Sequence, residues 1–167
     1  GSAFTVYLPA MLPLTPLDRE QAAVDRVASD GVLKGVRVLI VDDEPEAREL
    51  LGMQLESLGA EVTVATSGSD ALALVRAAAP VGGVDALVAD IGMPGLDGYA
   101  LIRSLRTLTA RDGGAMPAIA VTAYARPEDR ARALGAGYQR HFVKPVDIGV
   151  LATALSDLIL ASRGGAA

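Results

Sequence analysis

The sequence predicts a doubly wound α/β fold, in which a parallel five-stranded sheet carries five helices on its two faces. Two observations support this prediction. Short apolar runs of strand length alternate five times with segments of helical periodicity between residues 36 and 162. The apolar runs do not alternate with polar residues, which is typical of strands that are covered on both sides, as in a parallel sheet.

The first strand is predicted at residues 36–41, an apolar run that ends on Asp42 and Asp43. Pro45 suits the first turn of a helix, in which apolar residues recur at helical spacing until Gly59 stops it. The later elements repeat this pattern. Further strands are predicted at 62–64, 84–89, 118–122 and 140–143, and further helices at 72–79, 98–107, 127–135 and from Asp147 onward.

The handedness of strand–helix–strand connections leaves few topologies for such a chain. The flavodoxin-like strand order 2-1-3-4-5 fits the alternation best, and it places the carboxyl ends of strands 1 and 3 side by side. Ligand sites of α/β sheets form at this edge, so we expect the functional residues there.

The third strand has the most informative ending. Its apolar run reaches Asp90, and the next eight residues include Gly92, Pro94 and two further glycines, which shape a turn. Asp97 is placed to cap the helix that follows. A carboxylate at the mouth of an apolar strand is costly unless a partner or a metal meets it, so Asp90 is a candidate site residue.

Composition excludes several functions. The chain has 167 residues, a formal net charge of −5 and no cysteine. Without a basic cluster we expect no nucleic-acid partner, and without cysteine neither disulfides nor thiolate metal sites are possible. No apolar run has the length of a membrane span, and the first residues lack the charged-then-apolar pattern of a secretory signal. We therefore expect a cytoplasmic location and no membrane contact by this fragment.

Four strand ends carry groups suited to phosphate chemistry. Asp42 and Asp43 follow strand 1, Asp90 ends strand 3, and Thr122 and Lys144 end strands 4 and 5. Clustered carboxylates repel one another, and Mg²⁺ would resolve the repulsion because it prefers oxygen ligands. A carboxylate can also accept a phosphoryl group, whose charge a cation, a lysine and a hydroxyl would stabilise. Each residue alone could instead be a helix cap, a turn residue or a solvated side chain.

These motifs together resemble the receiver domain of two-component response regulators, over residues 36–162. The resemblance implies that Asp90 is the phosphoacceptor and that Thr122 and Lys144 contact the phosphoryl oxygens. It also implies a cis peptide bond before Pro145. The residues that it assigns to Mg²⁺ are Asp42, Asp43, Asp90 and the backbone carbonyl of Gly92. The matching segments read Val-Leu-Ile-Val-Asp42-Asp43-Glu44, Asp90-Ile-Gly-Met-Pro-Gly-Leu-Asp97-Gly98, Ala-Val-Thr122-Ala123 and Phe-Val-Lys144-Pro145.

One position departs from the family pattern. The family usually has Tyr or Phe three residues before the lysine, where this chain has His141. The resemblance implies that this side chain and Thr122 act together as a conformational switch. The alternative is that His141 is a half-exposed edge residue without a switching role.

The segments outside the domain suggest a longer parent. Residues 1–9, Gly-Ser-Ala-Phe-Thr-Val-Tyr-Leu-Pro, resemble the closing strand of the ATP-binding domain of sensor histidine kinases, or are a Gly-Ser cloning remnant and linker. Residues 10–35 read as a linker, and 163–167 as a flexible tail. We therefore expect the C-terminal receiver of a hybrid histidine kinase. Its partners would be a phosphohistidine domain, in the same parent chain or separate, and a histidine phosphotransfer protein, because His141 is the only histidine of the chain.

Two other functions compete with the receiver. The first is a metal-dependent phosphohydrolase with an Asp nucleophile. Such enzymes have a motif that resembles Asp-x-Asp-x-Thr directly after strand 1, whereas this chain reads Asp42-Asp43-Glu44-Pro45 at that position. A degenerate receiver that binds partners without phosphate is the second alternative, and the complete set of site residues argues against it.

Overall fold

The apolar runs of the sequence form five parallel strands of a single sheet. The computed structural model describes residues 31–164. The strands are β1 (Arg37–Val41), β2 (Glu61–Ala65), β3 (Ala86–Asp90), β4 (Ala118–Thr122) and β5 (Arg140–Val143). The helices are α1 (Pro45–Ser57), α2 (Gly68–Ala78), α3 (Gly98–Arg106), α4 (Pro127–Ala136) and α5 (Ile148–Gly164), and short 3-10 helices cover Ala79–Val81 and Ala110–Asp112.

The sheet has the order β2-β1-β3-β4-β5, and every pairing is parallel. This confirms the predicted fold class. Because β1 and β3 are neighbours, their carboxyl ends meet at one edge, and β4 then separates β3 from β5.

Two apolar layers cover the sheet, one on each face. The first contains buried side chains of α2, α3 and α4, among them Leu101 and Leu105. The second contains those of α1 and α5, among them Leu55 and Leu155. Residues on alternating positions of each strand supply the two layers, since successive strand side chains point to opposite faces. This double covering explains why the strands are apolar throughout.

Polar side chains fix the starts of three helices. Ser67 accepts a hydrogen bond from the Asp70 amide, Asp97 from the Ala100 amide, and Asp147 from the Val150 amide. Such caps satisfy amides that have no partner inside the helix, and each typically contributes about 1 kcal/mol. The predicted cap at Asp97 is therefore present.

Both predicted boundaries of the domain differ from the structure by a few residues. Residues 31–35, assigned to the linker, form a turn in which Leu33 is fully buried in the second apolar layer. At the other end, α5 continues to Gly164, and Arg163 reaches Asp85 at 3.4 Å. Sequence reasoning missed the contacts of Leu33 and Arg163 because both depend on segments that are distant in sequence. Residues 1–9, the rest of the linker and residues 165–167 lie outside the described residues, so those assignments stay predictions.

Within residues 31–164, no helix combines the length and apolar character needed to cross a membrane.

A half-buried arginine, Arg106, joins three parts of the chain at the other end of the sheet. The Arg106 guanidinium donates to the carbonyls of Gly114 and Met116, both at 2.8 Å, and to that of Gly137 at 2.8 and 3.1 Å. Burial lowers the pKa of Arg106. The planar fork of donors thus links the end of α3 to the segments that lead into β4 and β5.

Arg106→Ala should reduce the free energy of unfolding by about 2–4 kcal/mol, since it leaves several partly buried carbonyls without donors. Arg106→Lys should recover little of the loss, because an ammonium cannot reproduce the fork. Urea unfolding measures both variants. Arg103→Ala, an exposed position on the same helix, is the matched control and should change stability by no more than about 0.5 kcal/mol. Equal losses for Arg103 and Arg106 would contradict the assignment.

Candidate functional site

Three carboxylates meet at the carboxyl edge of the sheet. Asp42 and Asp43 follow β1, and Asp90 ends β3; one oxygen of each lies within 4.8 Å of the others. Asp42 is buried, Asp90 is half-buried and Asp43 is exposed. The structure thus brings together the three acidic residues that the sequence selected, and it does so because β1 and β3 are adjacent.

Lys144 places a positive charge between two of these carboxylates. Its ammonium lies 2.8 Å from Asp42 Oδ2 and 2.9 Å from Asp90 Oδ2. Burial lowers the pKa of Lys144, but the hydrogen bonds to Asp42 and Asp90 outweigh that effect, so the pKa is raised. The peptide bond to Pro145 is cis, as the resemblance implied.

Backbone amides bind the second oxygen of each of these carboxylates. Asp42 Oδ1 accepts from the amide of Glu44, and Asp90 Oδ1 accepts from that of Gly92, both at 2.9 Å. Asp42 is only 4% exposed. A carboxylate so deeply buried needs this full set of partners, because an unpaired buried charge is strongly destabilising.

Thr122 lies at the same edge, at the end of the strand between β3 and β5. It is 1% exposed, and its Oγ1 accepts from the amide of Tyr124 at 3.1 Å. The Thr122 carbonyl accepts from the Lys144 amide at 2.8 Å. The Thr122 hydroxyl therefore keeps its own hydrogen available to donate. The backbone of Thr122 is hydrogen-bonded to the backbone of Lys144.

Two glycines near Asp90 have different constraints. A Cβ at Gly98 would lie 2.6 Å from the Asp90 carbonyl oxygen, so only glycine allows α3 to begin this close to β3. A Cβ at Gly92 would meet Asp90 Oδ1 at 3.7 Å and the Tyr124 ring at 3.9 Å, which are ordinary contacts. The backbone amide of Gly92 binds Asp90, and a side chain at Gly92 would face the Asp90 carboxylate.

His141 lies on β5, outside the carboxylate cluster. It is half-buried, and its Nε2 is the one buried side-chain nitrogen or oxygen between residues 31 and 164 that has no hydrogen-bond partner. Burial lowers its pKa; Asp129 opposes this shift and Arg130 adds to it. His141, the second predicted switch residue, thus lies away from the carboxylates, on the strand that pairs with the strand of Thr122.

Arg48 is a neighbour of the site that sequence reasoning missed. Its guanidinium donates to the Asp42 carbonyl at 2.8 Å from the first turn of α1. An arginine at that helical position has no sequence signal of its own, because the contact depends on how α1 leaves β1.

The strand order and the acidic edge with its lysine define the class of the protein, the CheY-like α/β fold. Residues 38–156 match the family model of the response regulator receiver domain, and the chain belongs to this family.

Two relatives show how much of the chain is shared with other proteins. The chain is 46% identical over 110 residues to an uncharacterised 14.6 kDa protein of Leptolyngbya boryana, an alignment that covers 66% of this chain and 79% of that protein. It is 32% identical over 160 residues to the sensor protein EvgS of Escherichia coli, with 95% of this chain and 12% of EvgS covered. The chain therefore spans only a small part of EvgS.

Solved structures agree as well. A receiver domain of a signal transduction histidine kinase from Syntrophus aciditrophicus superposes with a TM-score of 0.64 at 31% identity, and the match covers 74% of this chain and 89% of that one.

The protein is a receiver domain of two-component signalling, a family whose general function is the phosphorylation of an aspartate. Receiver domains generally use Mg²⁺ at an acidic pocket, and this structure has a cluster of three aspartates at the carboxyl edge of its sheet. Membership of this family favours the receiver over the phosphohydrolase that the sequence left open.

Lys144→Ala should destabilise the domain in the absence of divalent ions, because it leaves the buried Asp42 carboxylate beside two others without a cation. Added Mg²⁺ should then raise the melting temperature of the variant more than that of the unaltered protein, since the three carboxylates gain a hard cation that they no longer share with an ammonium. Thermal unfolding with EDTA and with Mg²⁺ measures both effects. Lys34→Ala, at the only other lysine and exposed, is the control. A Lys144 variant that Mg²⁺ does not stabilise beyond the control would contradict this account.

Proposed function

We propose that Asp90 accepts a phosphoryl group from a phosphohistidine, and that Asp43, Asp90 and the Gly92 carbonyl hold Mg²⁺ with help from Asp42. The observation that carries the proposal is the convergence of the Lys144 ammonium and the other two carboxylates on Asp90. Asp42 is less suited to be the acceptor, since it is almost fully buried. Asp43 is exposed, and Lys144 pairs with Asp42 and Asp90 instead.

The donor set fits the metal. Mg²⁺ prefers oxygen ligands and is usually held by one or two carboxylates together with water and phosphate. When bound, it supplies positive charge opposite the oxygens of the phosphoryl group. The carboxylates of Asp43 and Asp90 and the backbone at Gly92 offer only oxygen donors on the exposed side of the cluster.

The transfer itself requires little covalent chemistry from the protein. An oxygen of the Asp90 carboxylate attacks phosphorus, an acyl phosphate P–O bond forms, and the P–N bond to the donor imidazole breaks. The imidazole nitrogen leaves with the electron pair and takes up a proton. In this proposal Lys144 and the Thr122 hydroxyl stabilise the charge on the transferred oxygens. The complete set of these groups supports a phosphate-dependent receiver over a degenerate one.

We also propose that the chain comes from a hybrid histidine kinase. The alignment with EvgS covers 160 residues, whereas the family model spans 38–156, so the likeness to EvgS extends well into the segment before β1. In this proposal residues 1–9 are the end of a kinase domain and residues 10–35 are the linker to the receiver. The donor would then be a phosphohistidine of a kinase or phosphotransfer domain, on the cytoplasmic side of the membrane.

The donor has an apolar surface to dock on beside the acceptor. A cleft of about 490 Å³ runs from Asp90 and Lys144 along α1, and its lining includes Leu50 and Pro145. Leu50 is 55% exposed, and Met53, one turn further along α1, is 62% exposed. A helix that brings a phosphohistidine to Asp90 would cover this surface, which we assign to the donor.

Acetyl phosphate with Mg²⁺ should increase the intact mass by one phosphoryl group. Asp90→Asn should abolish the increase, since the amide is not a nucleophile of comparable strength, and EDTA should prevent it in the unaltered protein. Asp157→Asn, an exposed position on α5, should label normally. Labelling that survives in the Asp90 variant, or that ignores the chelator, would reject the proposed function.

Leu50→Asp should slow phosphotransfer from a phosphorylated histidine phosphotransfer protein by about tenfold, because a buried carboxylate would replace an apolar contact of the interface. Labelling by acetyl phosphate should remain normal, since that donor needs no docking surface. The control is Val81→Asp, which is 79% exposed and lies outside the cleft. The assignment of the surface fails if both variants slow transfer equally.

A further inference from the structure

Two neighbouring residues in the turn between α4 and β5 hold both ends of α3. The Gly137 carbonyl accepts from the Arg106 guanidinium at the end of the helix. The Tyr138 hydroxyl donates to the Gly98 carbonyl at the start of the helix, at 2.7 Å. One short turn therefore fixes α3 at both of its ends.

The position of this turn is set by contacts that do not involve α3. The Tyr138 amide donates to the Ala133 carbonyl in α4 at 3.2 Å, and the Gln139 amide donates to the Ala118 carbonyl of β4 at 2.9 Å. The side-chain oxygen of Gln139 accepts in return from the Ala118 amide at 2.7 Å. A hydroxyl carried by such a turn is a fixed point for the helix that it binds.

The surroundings of Tyr138 favour a permanent hydrogen bond. Its ring belongs to the first apolar layer, and the residue is 3% exposed. Burial raises the pKa of Tyr138, so the hydroxyl stays protonated and remains a donor near neutral pH. A buried phenol hydroxyl needs a partner, and the Gly98 carbonyl supplies it.

Gly98 connects this hydrogen bond to the acceptor. Its amide donates to the Ile91 carbonyl at 3.2 Å. A Cβ on Gly98 would lie 2.6 Å from the Asp90 carbonyl oxygen and 2.7 Å from Ile91 Cα, so the start of α3 packs directly against the end of β3. A displacement of Gly98 must therefore move the backbone that follows Asp90 or open this contact.

Residues 91–97, the segment between β3 and α3, carry the backbone that serves the acceptor. The Gly92 amide donates to Asp90 Oδ1 at 2.9 Å. Gly92 is exposed, so its position depends on how the two ends of the segment are held, one by β3 and the other by α3. The hydroxyl of Tyr138 fixes the second of these ends.

We propose that Tyr138 is a positioning residue for the acceptor site, because its hydroxyl fixes the start of α3 and thereby the Gly92 backbone. The inference rests on the proposed function, in which the Gly92 carbonyl is a ligand of Mg²⁺. Tyr138 acts through Gly98 and is not itself a ligand.

Tyr138→Phe tests the role of the hydroxyl, since the ring still fills the apolar layer. A Mg²⁺ titration followed by NMR at the Gly92 amide should give a dissociation constant about three- to tenfold higher than in the unaltered protein, because a misplaced backbone ligand weakens the metal site. The Gly98 amide should also exchange its hydrogen faster relative to the Val88 amide of β3, since local opening at the start of α3 becomes easier.

Ile159→Val is the matched control. This residue of α5 lies in the second apolar layer, on the other face of the sheet from α3, and is 4% exposed. Its truncation lowers the melting temperature without a change at Gly98. We expect its Mg²⁺ affinity, and the exchange of Gly98 relative to Val88, to match those of the unaltered protein.

The outcomes separate this inference from the one on which it rests. Equal Mg²⁺ affinities in Tyr138→Phe and in the unaltered protein reject the role of Tyr138. An equal loss of affinity in Ile159→Val also rejects it, because lower stability alone then explains the effect. Neither measurement needs phosphorylation, so failure of acetyl phosphate to label Asp90 rejects the proposed acceptor alone. Absence of Mg²⁺ binding in the unaltered protein rejects the proposed metal site and this inference with it.

Discussion

The ammonium of Lys144 between Asp42 and Asp90 is the interaction on which the site depends. Three carboxylates within 4.8 Å of one another repel, and one of them is almost fully buried. Lys144, which follows β5, offsets that repulsion, although β4 separates β5 from β3. The contact ties together the ends of β1, β3 and β5, and the backbone amides at Glu44 and Gly92 complete the set. The burial of Asp42 is acceptable only because all of these partners are present.

The strand order explains which residue type can stand at each position. Strand β4 lies between β3 and β5, so a residue at the end of β5 needs a long side chain to reach Asp90, and Lys144 has one. A residue at the end of β4 lies on the strand next to Asp90, so a short hydroxyl suits it. Thr122 is accordingly almost completely buried. The strand order β3-β4-β5 thus matches the carboxylate of Asp90, the short hydroxyl of Thr122 and the long side chain of Lys144.

Much of this arrangement could be predicted from the sequence because it depends on local signals. Apolar runs of strand length, capping residues and polar strand ends define the fold class and the carboxylate cluster, since parallel strands end at one edge. The contacts of Leu33 and Arg106 could not be predicted, because each depends on segments that are distant in sequence. The contact of Arg48 with the Asp42 carbonyl is local, but it depends on how α1 leaves β1. Leu33 lies in a turn without periodicity, and the partners of Arg106 are carbonyls, which carry no sequence signal.

One ammonium cannot satisfy all the groups that the proposed function brings to this edge. Lys144 now donates to two carboxylates, and a phosphoryl group on Asp90 would replace one of them by more strongly charged oxygens. To follow those oxygens, the ammonium must weaken its contact with Asp42, which a divalent cation can then compensate. The Lys144 amide is bound to the Thr122 carbonyl, so a shift of the lysine backbone also acts on the end of β4. Because the carboxylates and a phosphoryl group on Asp90 would compete for the Lys144 ammonium, phosphorylation would also affect the β4–β5 side of the sheet, where His141 and α4 lie.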